Sequence, residues 1–120
     1  MMMRLALSAL LIAHGVAHLV GFAVPWRLVA TPDVPYRTTV LAATVVVGAA
    51  GVRIIGIAWL LAAMAFVLLG SAVLAGWSVR SPLFTLVGVS LVLCAIGWPD
   101  TRIGIGVNLL LLLLLRYLPS

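Results

Sequence analysis

The chain is 120 residues long and 66% apolar, with seven arginines, no lysine, and only Asp33 and Asp100 as acids, for a formal net charge of +5. A small soluble domain has about a quarter of its residues charged, so this composition excludes a water-soluble surface. The basic residues Arg4, Arg27, Arg37, Arg53, Arg80, Arg102 and Arg116 fall singly, mostly at the borders of apolar runs; that pattern excludes a nucleic-acid-binding face and makes the lipid bilayer the expected partner, with the arginines as interfacial anchors.

The first apolar run predicts a membrane-spanning helix over residues 4–24. It follows "MMMR", which resembles the charged start of a secretory signal. It is longer than the usual apolar region of such a signal and no A-x-A site follows, so it reads as a retained helix. At 100° per residue, Ala9, Ala13, Ala17 and Gly21 form a small-residue stripe of the spacing that lets helices approach closely in lipid. His14 and His18 flank it. A polar ring facing hydrocarbon lacks partners, which turns both imidazoles toward the bundle interior or an oligomer contact.

Residues 25–52 begin with the proline-punctuated "PWRLVATPDVPYRTT" and continue as "VLAATVVVGAAGV", apolar but too short to span. The run Thr44, Val45, Val46, Val47 followed by Gly48 and Gly51 predicts a loop, extended or interfacial piece. An unbroken helix from Thr38 to Trp77 would run about 60 Å, twice the membrane thickness. The second helix is expected over 53–77, the third over 82–98, opened by Pro82, and the fourth over 101–118. The last two are near the short limit for a span and form a tight hairpin. Trp26, Trp77, Trp98 and Tyr117 at the expected ends fit the aromatic belts of the interface. Together these predict a single all-α domain: an integral membrane four-helix transmembrane bundle with antiparallel neighbouring helices. Four spans place Arg4, Arg80 and Arg116 on one side and Arg27, Arg37, Arg53 and Arg102 on the other. The nearly tied charge rule leans to cytoplasmic termini, in a bacterial plasma membrane, because the N-terminal amine lies beside Arg4.

The histidines carry the functional expectation. Residues i and i+4 share a helix face, so one role is helix-packing hydrogen bonds to neighbouring helices, and another is proton relay. A metal or haem site would draw on His14, His18 and Cys94, with Met64 as a further donor, but falls short of the three or four ligands such a site needs. Asn108, one to two turns into the fourth helix, is placed to partner His14 or His18. Ser71, Thr85 and Ser90 are expected to bond back to their own helices, "WPDT" to be a turn with Asp100 or Thr101 as N-cap, and leucines 109–115 to face lipid. One cysteine allows no intramolecular disulfide. Gly104 and Gly106 do not make a dinucleotide fingerprint, since Leu109 stands at the third glycine position.

The combination "AHGVAHLVGF", "GVRIIGIAWLLAAMAF" and "LCAIGWPDTRIG" resembles a group of small, largely uncharacterised bacterial four-helix membrane proteins, sometimes labelled permeases. The resemblance covers most of the chain, implies the fold and brings no activity with it. That group has an acidic, more polar segment before its second helix, whereas Val46, Val47 and Ala49 are apolar here. In length and helix number the chain also resembles small multidrug-resistance exporters, which work as antiparallel homodimers around a first-helix glutamate. This chain has no glutamate, so that resemblance would put proton exchange on His14 or His18. The expected function is an accessory, structural or small-ligand-binding membrane component with a polar pocket around His14, His18 and Asn108. It is expected as a homo-oligomer or bound to a larger membrane partner. A proton-coupled transporter of small molecules or lipophilic cations and a metal- or haem-binding redox subunit are the alternatives.

Overall fold

The computed structural model describes residues 2–118. Among them are four α-helices, α1 (Met2–Ala23), α2 (Gly48–Leu74), α3 (Arg80–Ile96) and α4 (Arg102–Leu114), the last running into a 3-10 turn at Leu115–Tyr117. A two-stranded antiparallel pair, β1 (Thr39–Val40) and β2 (Val45–Val46), lies before α2, with Thr39 opposite Val46 and Val40 opposite Val45. The protein is therefore mostly helical. Two helices, α1 and α2, are long and apolar enough to cross a membrane, and α3 is a shorter apolar helix.

The helix ends differ from those expected, for local reasons. Helix α2 begins at Gly48 rather than residue 53, because the alanines and glycines of "GAAGV" continue the helix once the β pair has closed; the Val47 and Gly48 amides both donate to the Thr38 carbonyl at 3.0 Å. There is no continuous helix from Thr38. Its other end stops at Leu74, not Trp77. Gly76 takes a left-handed φ of 85°, and the amides of Gly76 and Trp77 donate back to Val73 and Ala72, the double closure that a glycine just past a helix end permits. Helix α3 starts at Arg80, with Pro82 in its first turn, where no amide is needed.

The packing of α1 on α2 is antiparallel: Gly70 lies beside Ser8, Gly15 beside Ala63 and Phe66, and Gly21 against Trp59. A Cβ on Gly15 would come within 2.8 Å of the Ala63 carbonyl oxygen, so glycine is what allows this approach. Ser8 ties the same seam by donating to the Gly70 carbonyl at 2.8 Å. The expected stripe of Ala9, Ala13, Ala17 and Gly21 is not the seam with α2. The three alanines are exposed and only Gly21 packs against α2. Helix α1 buries the neighbouring face instead: Leu7, Ser8, Leu11, His14, Gly15 and His18, because the imidazoles and Ser8 find partners there.

Helices α3 and α4 form the antiparallel hairpin, with Gly104 opposite the Cys94 sulfur and Asn108 opposite Ser90. Of the seven leucines 109–115, Leu111 and Leu115 are in the core, so that run is not uniformly outward-facing. The turn also differs from expectation. Neither Asp100 nor Thr101 caps α4; the Thr101 hydroxyl donates to the Cys94 carbonyl, and Asp100 accepts from Arg37 at 2.7 Å. This ion pair, which raises the guanidinium further above its ordinary range, fastens the 24–47 loop to the α3–α4 turn. The tip of the β pair is fastened there too. Leu41, Ala42 and Ala43 are all left-handed, with φ of 55°, 55° and 65°, a conformation that costs about 1–2 kcal/mol per non-glycine residue. The Leu41 and Ala42 amides donate to the Ile96 and Trp98 carbonyls at 2.8 and 3.0 Å, which partners the last carbonyl of α3, left without an intrahelical donor, and one in the turn just beyond it.

Candidate functional site: a polar cluster beside an apolar groove

The three residues singled out as pocket candidates meet in space. His14 Nε2 lies 2.9 Å from Asn108 Oδ1, and the Asn108 amide nitrogen reaches Ser90 Oγ at 2.8 Å and Cys94 Sγ at 3.7 Å. His18 Nε2 lies 2.7 Å from the same Ser90 oxygen, while its Nδ1 lies 2.7 Å from the His14 carbonyl oxygen. The sequence explains how four side chains from three helices converge. The i, i+4 spacing puts both imidazoles on one face of α1. Gly104, where a Cβ would come within 2.9 Å of the Cys94 sulfur, lets α4 close on α3 until Asn108 is level with Ser90.

The cluster is enclosed by aromatic rings. Phe66 has no exposed surface and sits 4.8 Å from the His14 ring and 4.9 Å from that of His18; Trp59 sits 5.0 Å from His18, and the two imidazoles meet edge to face at 4.5 Å. Among the described residues, every fully buried side-chain nitrogen or oxygen has a hydrogen-bond partner. Unpaired polar groups are most costly in a low-dielectric interior, so this closure is what makes the cluster tolerable.

Sequence reasoning missed three members. Ser90 does not bond back to its own helix; it is the shared centre of the network, whereas Ser71 and Thr85 do bond back, to Val67 and Ser81. Phe66 and Trp59 were also missed. A tryptophan in mid-helix, away from the interfacial ends where Trp77 and Trp98 stand exposed, was the available signal.

Helix α1 is joined to α4 by the His14 to Asn108 hydrogen bond. Beside it a groove of about 330 Å³ opens between the two helices, lined by the exposed alanines Ala13 and Ala17, by Ile103 and Val107 of α4, and by His14 and His18 at its wall. A second cavity of about 360 Å³ lies under the 24–47 loop, bounded by Arg37, and shares Gly21, Val34, Trp59, Asp100 and Thr101 with the first, so the Asp100 carboxylate stands at the border of both. Toward the opposite end the interior is closed by Leu11, Phe66, Leu83 and Leu111, which have no exposed surface.

The metal candidates do not form a ligand set. Among the described residues no three of His, Cys, Asp and Glu are grouped to hold an ion, both nitrogens of His18 are committed to hydrogen bonds, and Met64 is exposed on the outer face of α2. No family model, curated protein or solved structure matches this chain.

Proposed function

We propose that the protein is a small-ligand-binding component of a bacterial plasma membrane, and that the α1–α4 groove takes up a lipophilic molecule beside the His14, His18 and Asn108 cluster. The observation carrying this reading is the groove itself: a largely apolar space of about 330 Å³ with a polar cluster in its wall. That volume lies at the low end of the roughly 300–1,000 Å³ of small-molecule sites, which combine apolar lining with a few placed polar groups.

The apolar exterior supports the membrane setting: Ile54, Leu61, Leu68, Phe84, Val92 and Leu109 are exposed. At 1.5 Å per residue α1 and α2 reach about 33 and 40 Å, while α3 and α4 reach only about 25 and 20 Å. In this reading all four helices cross, the shorter hairpin being accommodated by local thinning or by a second copy or partner. Arg4, Arg80 and Arg116 lie near cavities at the end where the N-terminus meets the α2–α3 turn, the end assigned to the cytoplasm. The apolar closure on that side of the cluster favours binding over through-passage, so transport is the weaker reading.

The test uses a Trp26→Phe, Trp77→Phe, Trp98→Phe variant in lipid nanodiscs, leaving Trp59 as the sole indole. A brominated alkylphenol should quench Trp59 saturably, and Ala13→Leu with Ala17→Leu should abolish saturation while the helical spectrum stays unchanged. Linear, non-saturable quenching in both proteins would reduce the groove to ordinary lipid contact and overturn the reading.

A further inference from the structure

The hydrogen bonds around the histidines have a direction, and that direction specifies what the groove can recognise. A backbone carbonyl only accepts, so His18 Nδ1, 2.7 Å from the His14 carbonyl oxygen, carries the proton and donates. In the neutral ring Nε2 is then an acceptor, and the Ser90 hydroxyl donates to it. With its proton spent, Ser90 Oγ accepts from the Asn108 amide nitrogen, whose other N–H points to Cys94 Sγ. The amide oxygen of Asn108 therefore faces His14 Nε2 and accepts its proton. Reversing the asparagine would set its amide oxygen against the Ser90 oxygen, whose proton is already given to His18, leaving two acceptors facing each other, or would require a charged His18, so the chain fixes one neutral tautomer for each ring.

The consequence is an unpaired acceptor. With Nε2 protonated, His14 Nδ1 holds a bare lone pair. It makes none of the hydrogen bonds of the cluster, and it is not among the fully buried atoms, since those all have partners. His14 lines the groove, so this nitrogen meets the groove space. Every other polar atom of the cluster is satisfied within the protein.

We infer that the groove is specific for neutral amphiphiles that present a hydrogen-bond donor, a hydroxyl or N–H on an apolar body, which donates to His14 Nδ1. A carbonyl, ether or ester oxygen would face a lone pair and gain nothing there. The groove extends along α1 from Leu10 to Gly21, about 16 Å at 1.5 Å per residue, enough for an elongated body beside the donor. This inference rests on the ligand-binding reading above and narrows it to a chemical class.

A matched pair of probes tests it: a 4-alkylphenol and its methyl ether, titrated against the Trp59-only protein in nanodiscs with a brominated chain common to both. The phenol should bind about tenfold more tightly than the ether, the upper range for one neutral hydrogen bond, and His14→Phe should remove the preference. Because that variant can misfold, ¹⁵N imidazole spectra of the parent provide an independent arm. His14 should show Nε2 protonated and Nδ1 bare, with only the Nδ1 resonance moving when phenol is added. Equal affinity for phenol and ether, or a parent His14 protonated at Nδ1, overturns the inference while leaving the groove a binding site. Saturable binding of neither probe overturns the binding reading and the inference with it.

Discussion

Helix α1 has two seams, and they are built on opposite principles. Against α2 it is closed to backbone contact by glycine, at Gly15, Gly21 and Gly70, with Ser8 bonded across to the Gly70 carbonyl. Toward α4 it leaves a groove: its small residues Ala13 and Ala17 are exposed and border that space, and the seam is bridged by the contact of His14 with Asn108. Small residues alone therefore do not say which face packs. Close approach on one side is driven by dispersion between interlocking surfaces; on the other, a buried polar bridge fixes two helices at a distance that leaves space beside it.

The sharpest way to break this contrast is to add bulk to the closed seam. Gly15→Leu sets a side chain against the Ala63 carbonyl and Phe66, and overpacking of this kind costs about 3 kcal/mol. A clearly lowered midpoint of thermal unfolding in detergent is expected; an unchanged midpoint would mean that α1 and α2 do not approach as described. Next in size is the bridge. Asn108→Leu removes the acceptor of His14 and a donor to Ser90, for an expected loss of about 1–2 kcal/mol, read by the same unfolding measurement. The open seam should tolerate what the closed one cannot: Ala13→Leu, only two residues from Gly15, is expected to change stability by less than about 0.5 kcal/mol, as exposed substitutions do, and to eliminate saturable probe binding. Destabilisation matching that of Gly15→Leu would show that no groove exists there.

The smallest effect concerns the loop. Arg37→Gln removes an exposed ion pair with Asp100, and such pairs contribute little and are screened by salt. Global stability should hardly move. Hydrogen exchange at the Leu41 and Ala42 amides, which rest on the Ile96 and Trp98 carbonyls, should speed up locally, and high salt on the parent protein should reproduce part of it. Exchange unaffected by either would show that the ion pair does not hold the loop.

Much of the site was legible before the fold. His14 and His18 at helical spacing in an apolar run, and Asn108 alone in another, are conspicuous because polar groups there must find one another. Ser90 was not legible, since a helical serine satisfies itself on its own backbone as readily as on a neighbour, and only the position of α4 decides between the two. Asp100 was misread as a cap for a similar reason. A carboxylate beside a helix start has a local role available, and the competing Arg37 is 63 residues away in sequence.

By itself the sequence determined the number and approximate length of the helices, their apolar exterior and the need to hide two imidazoles, because these depend on periodicity and on the cost of burying unpaired polar atoms. The tertiary structure alone decided which face of α1 packs, that Ser90 joins two networks into one directed chain, and that a single nitrogen of His14 is left facing a groove. Those outcomes depend on how far apart helices distant in sequence come to rest. No local pattern encodes that distance; it follows from glycine contacts on one seam and a polar bridge on the other.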